Sequence, residues 1–322
     1  MLNYIIKRVL LMIPVVIGVL LIIFILSTIT PGDPTDVIVG VDATEEAREV
    51  ARADYGLDKP VLVRFINYVI GVFTRADLGK SYATRQPVSK EIFTRFPVTI
   101  KLTFLSVLVA LVIALPVGVL SAVKQYSWID NLSMAGSLIF VSVPGFWMAL
   151  MLLLLFAVKW GILPASGIKS WLGWILPVAS IGIGNVGSLA RVTRSSMLEI
   201  IRQDYMRTAR AKGQKYSVVI FKHGLRNALM PVISSVGNTI CVSMGGVVVA
   251  ESIFSLNGVG LYMLSSINAR DWPCVQGGIV VLSISVSIIM LIVDIIYTIV
   301  DPRLKTEFQK KNKARRKKEA VA

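Results

Sequence analysis

The segment QDYMRTARAKGQKYSVVIFKHGLRNALMP, residues 203–231, is polar and basic, and it lies between two long apolar runs. Between Arg191 and Arg226 there are nine lysines and arginines but only two acids, Glu199 and Asp204. Loops that carry such an excess of positive charge stay on the cytoplasmic side of a membrane. The segment therefore predicts a membrane protein in which this loop faces the cytoplasm.

The first half of the segment predicts a short helix over residues 205–212. Asp204 is the expected N-cap, because its side chain can accept a hydrogen bond from the first free N–H groups. Gly213 is expected to end the helix in the left-handed conformation that glycine adopts without strain. The small side chains of Ala209 and Ala211 are expected to leave room for another surface to come close.

A second helical turn is predicted after the glycine, with Ser217 as its cap and Gly224 at its end. Two short helices joined by a glycine, on the inner face of a membrane protein, are typical of a segment that docks a partner protein and transmits its motion. The single histidine, His223, lies here without the cysteines or carboxylates that a metal site needs.

The spacing within this segment resembles a known family pattern. Arg207-Thr208-Ala209, followed after three residues by Gly213, resembles the EAA loop of ABC-importer permeases. Two features depart from the general pattern: Arg207 replaces a glutamate, and Pro231 lies farther beyond Gly213 than in sugar permeases. In both features the segment resembles the dipeptide/oligopeptide/nickel branch of the family. The loops of that branch read RTARAKG and H-x-L-R-N-A-L-x-P, as residues 207–213 and 223–231 do here. The resemblance extends over roughly residues 1–305.

The resemblance implies that this loop couples the chain to ATPase subunits. The implied coupling residues are Asp204, Tyr205, Arg207, Thr208, Ala209, Arg210, Ala211, Lys212 and Gly213. The implied partners are a second homologous permease subunit, two ABC ATPase subunits and an extracytoplasmic substrate-binding protein. ATP and Mg²⁺ are expected on the ATPase subunits, because this chain has no Walker lysine loop. We expect it to bind no cofactor or metal and to catalyse no reaction itself.

The composition agrees with a polytopic membrane protein. The 322 residues are 55% hydrophobic and 16% charged, with a mean hydropathy of +0.71. A membrane-spanning helix needs about 20 apolar residues. Uncharged windows of that length cover residues 9–32, 102–123, 131–158, 170–190, 227–250 and 272–293. The expected fold is all-α with six transmembrane helices, and the resemblance implies a type I ABC-importer permease bundle in a bacterial inner membrane. An even number of crossings places both termini on the same side, and the basic ends of the chain mark that side as the cytoplasm.

The net charge of +15 marks this inner face and does not indicate nucleic-acid binding. The N-terminus contributes +2 and the basic loop +7. The tail from Asp301 contributes +6, from nine basic and three acidic residues, so the remainder of the chain is neutral. Besides its protein partners, we expect contact with the lipid bilayer and none with nucleic acid.

The predicted organisation has four parts. Residues 1–32 form the N-terminus and first transmembrane helix, and residues 33–97 form a long external loop that includes a helix capped by Thr44. Residues 98–305 form the permease core of five further helices, with the coupling loop at 191–226. Residues 306–322 are expected to be a disordered basic tail.

Two further blocks resemble the family, and both lie near the predicted outer face. Glu251 followed by Gly258-Val259-Gly260 resembles its E-x-I-F-x-x-x-G-x-G block, and Arg270-Asp271 its R-D-x-P block. Residues 252–269 are uncharged but rich in serine, asparagine and glycine. We predict an outer surface or re-entrant segment, because a further crossing would place the basic tail outside.

Uncharged polar side chains within the spans are candidates for lining a passage: Ser142, Asn185, Asn238, Thr239, Ser243 and Ser285. Such groups suit a weakly binding path for a peptide handed over by a receptor, although serine and threonine also join helices in membranes. The expected cargo is a di- or oligopeptide, and a nickel chelate or another small solute is the alternative. A secondary transporter or channel acting alone is the alternative from another class.

Overall fold

The computed structural model describes residues 2–300, so the predicted basic tail at 306–322 lies outside the described residues. Within that range the regular structure is helical. The helices are α1 (Leu2–Ile29), α2 (Pro34–Val39), α3 (Glu45–Asp54), α4 (Val61–Arg75), α5 (Val88–Val123), α6 (Trp128–Ser142), α7 (Gly145–Leu152), α8 (Ile175–Ile201), α9 (Asp204–Ala211), α10 (Tyr216–Val218), α11 (Arg226–Ile253), α12 (Val259–Asn268) and α13 (Trp272–Val300). The expected all-α class is confirmed.

Among the described residues, five segments are long and apolar enough to cross a membrane. They are Arg8–Ile29, Val88–Val123, Trp171–Ile201, Tyr216–Ile253 and Trp272–Tyr297. Each is a helix, because a backbone surrounded by lipid must satisfy its own hydrogen bonds. A sixth candidate is a bent pair, described next. The segment α12, with ten residues, is too short to cross, which agrees with the prediction for residues 252–269.

The third predicted span is not one straight helix. It consists of Trp128–Ser142 and Gly145–Lys159, which meet at an angle of 98°. The cause is Pro144, whose ring disfavours the helical conformation of the preceding residue. Val143 is accordingly extended, with φ −76° and ψ 125°. After α7 the chain continues as a wide π-helical turn, Leu153–Lys159.

The described chain divides into two compact units. Unit one contains residues 2–105, 145–181 and 243–287, and unit two contains residues 106–144, 182–242 and 288–300. The main core of unit one joins α1, α4, the start of α5, α12 and α13, through buried side chains such as Leu20, Val72, Ile92, Met263 and Val280. A second core surrounds Leu102, Ala149, Leu176, Val247 and Phe254.

The segment between α1 and α5, predicted as the external loop, is folded and attached to unit one. Thr44 caps α3 by accepting a hydrogen bond from the Ala47 N–H, as predicted. Arg52 bridges Asp33 and Glu45 at 2.8 and 2.9 Å. The hydrogen bond from the Arg52 guanidinium lowers the pKa of Asp33 to about 2. The loop therefore has its own helix and ion pairs.

Asp271 holds the end of this loop against the start of α13. Its buried carboxylate accepts hydrogen bonds from Ser81 Oγ at 2.5 Å, from the Tyr82 N–H at 2.9 Å and from the Ala83 N–H at 3.3 Å. The end of the predicted external loop and the R-D-x-P block thus meet within unit one. Burial of a carboxylate is tolerated here because it is hydrogen-bonded to three donors.

Unit two depends on close contact between α5 and α8. An ideal Cβ atom on Gly118 would lie 2.7 Å from the Ala190 carbonyl oxygen and 2.6 Å from Thr193 Cβ. Only glycine allows the two backbones to come this close, as is common between membrane helices. Small buried residues such as Ala110, Ala114 and Ala190 continue the contact.

We predict that Gly118→Ala destabilises the protein by about 1–3 kcal/mol, because the methyl group forces two backbones apart. Gly136→Ala is the matched control: it also lies within a helix of unit two, and nothing is within 4 Å of its Cβ position. Thermal unfolding of the purified chain in detergent measures both. Equal unfolding temperatures for the two variants would contradict the close α5–α8 contact.

Candidate functional site

The short helix predicted in the basic loop is present as α9, Asp204–Ala211. Its N-cap is Gln203, so the prediction that Asp204 caps the helix is wrong. Asp204 is the first helical residue, where its negative charge still favours the helix dipole. Lys212 is the C-cap, and Gly213 follows with φ +74°, which confirms the glycine stop.

One face of α9 is buried within unit two. Met206 is fully buried and Ala209 is 9% exposed, three residues apart on the same side of the helix. They pack with Val119 and Met197, which belong to α5 and α8, and with Ala228 of α11. The expectation that Ala209 leaves room for another surface is therefore wrong, because the chain itself fills that space. Ala211 is exposed, as expected.

The predicted second short helix is not a separate element. The chain is helical without a break from Tyr216 to Ile253, through α10, a π-helical turn at Val219–Leu225 and α11. Ser217 lies inside α10 and does not cap it, and Gly224 does not end the helix. Gly224 is buried, and its Cβ position lies 3.2 Å from Met206 Cε. The glycine makes room for the methionine that anchors α9.

The opposite face of α9 is exposed and carries most of the predicted coupling residues. The exposed members are Asp204, Tyr205, Arg207, Thr208, Arg210, Ala211, Lys212 and Gly213. Arg207 lies 3.8 Å from Asp204 in an ion pair that is almost fully solvated, so it adds little stability. The exposed residues listed above form the surface that we call the α9 face.

Two aromatic side chains are exposed on the segment that follows α9, and one of them contacts the α9 face. Tyr216 is 48% exposed and Phe221 is 61% exposed. The Arg210 guanidinium lies 5.0 Å from the centre of the Tyr216 ring, within the range of a cation–π contact. Exposed aromatic and arginine side chains are enriched where proteins bind one another.

Polar contacts hold α9 in place at both ends. Asn227 Nδ2 donates to Tyr205 Oη at 3.2 Å and to the His223 carbonyl oxygen at 2.9 Å. His223 Nε2 and Gln214 Oε1 are 2.9 Å apart. His223 thus has a structural contact in this loop. With the buried Met206, these bonds join α9 to the first turns of the long helix that follows.

Sequence comparison now assigns the family. Residues 114–306 match the family described as the inner membrane component of binding-protein-dependent transport systems. The chain belongs to this family. Residues 1–103 match the N-terminal segment of such membrane components. This permease is therefore a multi-pass inner-membrane component of an ABC importer, a transport subunit.

Several bacterial permeases match almost the whole chain. It is 37% identical over 305 residues to the glutathione transport system permease protein GsiC of Pectobacterium atrosepticum, Salmonella typhimurium and Escherichia coli. Each alignment covers 95% of this chain and 99% of the relative. This chain also aligns with a solved inward-facing structure of the MetNI methionine ABC transporter, with 22% identity and a TM-score of 0.51. The alignment covers 63% of this chain and 93% of the chain in that structure. That chain has the same fold.

The candidate passage residues fall in both units of the permease. Ser142, Asn185, Asn238 and Thr239 belong to unit two, and Ser243 and Ser285 belong to unit one. The Ser142 and Ser285 hydroxyls donate to carbonyl oxygens of their own helices, at 2.8 and 2.6 Å. Asn238 is exposed and Ser243 is buried. A role in a passage stays a prediction for all six.

The ion pair between Asp130 and Arg194 was not predicted from the sequence. Arg194 lies in α8 and not in a solvated loop, and its Nε donates to the buried Asp130 carboxylate at 2.6 Å. Its terminal Nη2 donates to the other carboxylate oxygen at 2.7 Å. This two-point contact joins the first turn of α6 to α8 within unit two. The available signal in the sequence was Asp130 itself, a single acid directly before the uncharged run 131–158.

Glu251 forms a second buried carboxylate site, in unit one. It is fully buried, and its oxygens accept hydrogen bonds from Thr99 Oγ1 at 2.6 Å and from the Leu261 N–H at 3.0 Å. Thr99 Oγ1 accepts in turn from the Val259 N–H at 2.9 Å. The carboxylate therefore satisfies the first turn of α12, where free N–H groups favour negative charge.

The two glycines of the family block lie where a larger side chain would not fit. A Cβ atom on Gly258 would lie 2.1 Å from Glu251 Oε1, and one on Gly260 would lie 2.6 Å from Val248 Cα. The block E-x-I-F-x-x-x-G-x-G thus encodes a glutamate and the side-chain-free turn that encloses it. The structural role of Glu251 was not predicted from the sequence.

We predict that Glu251→Gln destabilises the permease by about 1–3 kcal/mol, because an amide NH₂ group then faces N–H and O–H donors. Glu199→Gln, at an exposed position of α8, is the control and is expected to change stability by less than about 0.5 kcal/mol. Thermal unfolding in detergent measures the difference. An unchanged unfolding temperature for Glu251→Gln would show that the cluster adds no stability.

Proposed function

We propose that this permease is the transmembrane subunit of an ATP-driven importer of short peptides, and that the α9 face is where an ATPase subunit docks. The observation that carries the proposal is the division of α9 into a buried face, formed by Met206 and Ala209, and an exposed basic and aromatic face. Such a helix is held by its own chain on one side and is free to bind a partner on the other. The family membership of the chain supports this assignment.

The complex proposed around this chain contains a homologous second permease, two ABC ATPase subunits and an extracytoplasmic binding protein. ATP and Mg²⁺ bind to the ATPase subunits. In this scheme the α9 loop, within 191–226, and both termini face the cytoplasm, and residues 33–97 face outward toward the binding protein. The positive charge of the loop supports this orientation.

Motion passes to the membrane helices through the buried face of α9. When the ATPase subunits close, they displace α9, and Met206 presses on Gly224 and Met197. Gly224 belongs to the π-helical turn that leads into α11, and Met197 belongs to α8. The expected outcome is a two-state change between inward-open and outward-open forms, because packed helices shift as rigid bodies.

The cargo proposed is a short peptide. The GsiC relatives are named for the transport of glutathione, which is itself a tripeptide. The candidate passage residues are uncharged, which suits weak contact with a peptide backbone. A nickel chelate is the second cargo, favoured only by the resemblance of residues 207–213 and 223–231 to the mixed peptide and nickel branch.

The coupling proposal is tested with a bulky side chain on the α9 face. We expect Ala211→Trp to lower transport and co-purification of the ATPase subunits by about tenfold or more, the effect of losing ~1.4 kcal/mol of docking energy. Ala211→Ser is the matched control and is expected to behave like the parent chain. Substrate uptake by cells and ATPase recovery from mild detergent are the measurements.

Ala209→Trp separates docking from folding. Because Ala209 is buried, we expect this variant to reduce the amount of permease in the membrane, whereas Ala211→Trp leaves it unchanged. Full uptake by Ala211→Trp would contradict the docking surface. Uptake that continues in cells without any ATPase subunit would instead favour a secondary transporter or channel.

The cargo proposal is tested by competition in whole cells. Cells that depend on this importer are expected to lose uptake of a labelled di- or tripeptide when the permease gene is deleted, and to regain it with the gene on a plasmid. Glutathione and unlabelled peptides compete in the same assay. Loss of ⁶³Ni uptake with unchanged peptide uptake would overturn the peptide assignment in favour of the chelate.

A further inference from the structure

Helix α4 presents three distinct surfaces around its axis. At 100° per residue, Phe65, Tyr68, Val69 and Val72 lie on one side and pack into the core of unit one. A second side is polar and contains Asn67, Thr74, Arg64 and Arg75. The third side is apolar and exposed, and it contains Leu62, Val63, Ile66, Ile70 and Phe73. We call this third side the α4 stripe.

The α4 stripe is unusually apolar for a surface that no part of the described chain covers. Leu62 is 68% exposed, Ile66 45%, Ile70 50% and Phe73 44%. Soluble surfaces rarely expose so many neighbouring large apolar side chains. With 15 residues, α4 is about 22 Å long, too short to cross a hydrocarbon core of about 30 Å. The helix is therefore suited to lie along a membrane surface.

Contacts with α1 place α4 at one end of a membrane span. The Phe65 ring packs edge-on against Phe24 of α1, with the ring centres 5.4 Å apart, and the Arg64 guanidinium lies 5.8 Å from the centre of the Phe24 ring. Phe24 is five residues before the end of α1 at Ile29, which corresponds to about 8 Å along the axis. That depth is the boundary between head groups and acyl chains, where amphipathic helices lie.

We infer that α4 is an in-plane membrane helix whose stripe rests on the lipid acyl chains beside α1. At the same level, the side of α1 that faces away from Phe24 is also apolar and exposed, with Ile22 62%, Leu26 52% and Ile29 71% exposed. Both charged residues of α4, Arg64 and Arg75, are cationic and lie on its polar side. This charge favours anionic phospholipid head groups, which surround such helices.

The three-sided pattern favours lipid over a protein partner as the occupant. A helix at a bilayer surface meets protein, acyl chains and water on successive sides, and α4 has one side suited to each. A helix buried between two proteins has no need of a separate polar side. The second permease subunit is the other candidate, and the experiment distinguishes it from lipid.

The test uses site-directed spin labels on the full transport complex. Single cysteines replace Leu62, Ile66, Ile70 and Phe73, one at a time, with Cys241 and Cys274 changed to serine. Asn67→Cys and Thr74→Cys, on the polar side of the same helix, are matched controls. The complex is reconstituted in vesicles of phosphatidylethanolamine and phosphatidylglycerol. Collision rates are measured with oxygen, which concentrates in lipid, and with a water-soluble nickel chelate.

Lipid contact gives an oxygen-to-chelate ratio several-fold higher at the four stripe positions than at Asn67 and Thr74. A higher chelate rate along the stripe would place it in water and overturn the inference. Protection of the stripe from both reagents would also overturn it, and would assign the stripe to a protein neighbour such as the second permease. Uptake by the labelled complexes confirms that each variant is assembled.

Discussion

The packing of Met206 against Gly224 is the contact on which the proposed mechanism depends. Without it, the basic segment between α8 and α11 would be a charged loop of lysines and arginines that repel one another. The methionine fills the space that the glycine leaves open, and Ala209 adds a second buried contact one turn later. The exposed face is consequently held in one orientation while its charges remain in water. A docking surface that is ordered before binding loses less conformational freedom when a partner arrives.

The same principle, a small residue opposite a larger group, recurs through the permease. Gly118 allows α5 and α8 to meet, and Gly258 and Gly260 enclose the Glu251 carboxylate. In lipid, helices gain little from hydrophobic burial against one another, because acyl chains are equally apolar. Close packing and satisfied polar groups then supply the stability. The buried carboxylates of Asp130, Glu251 and Asp271 each have two or more donors for this reason.

The charge distribution has a separate role from these buried contacts. The exposed basic residues of the α9 face lie beside apolar and aromatic side chains, a combination suited to a protein partner. The two arginines of α4 lie opposite an apolar stripe, a combination suited to a bilayer surface. The ion pair between Arg194 and the buried Asp130, by contrast, holds two helices of unit two together. The role of each cation therefore depends on the surface around it. A count of charges alone does not distinguish a protein-binding surface, a lipid-facing helix and an internal ion pair.

The sequence by itself determined the class of the protein, the position of most membrane helices and the short helix of the basic loop. These features depend on local chemistry: long uncharged runs, a glycine stop at Gly213 and a cap at Thr44. Only the tertiary structure decided that Ala209 faces inward and that Gly224 lies inside a continuous helix. It also decided which acids are buried, since Asp130 and Glu251 find donors far away in the sequence. Periodicity shows which residues share a face, but which neighbour covers that face depends on contacts between distant segments.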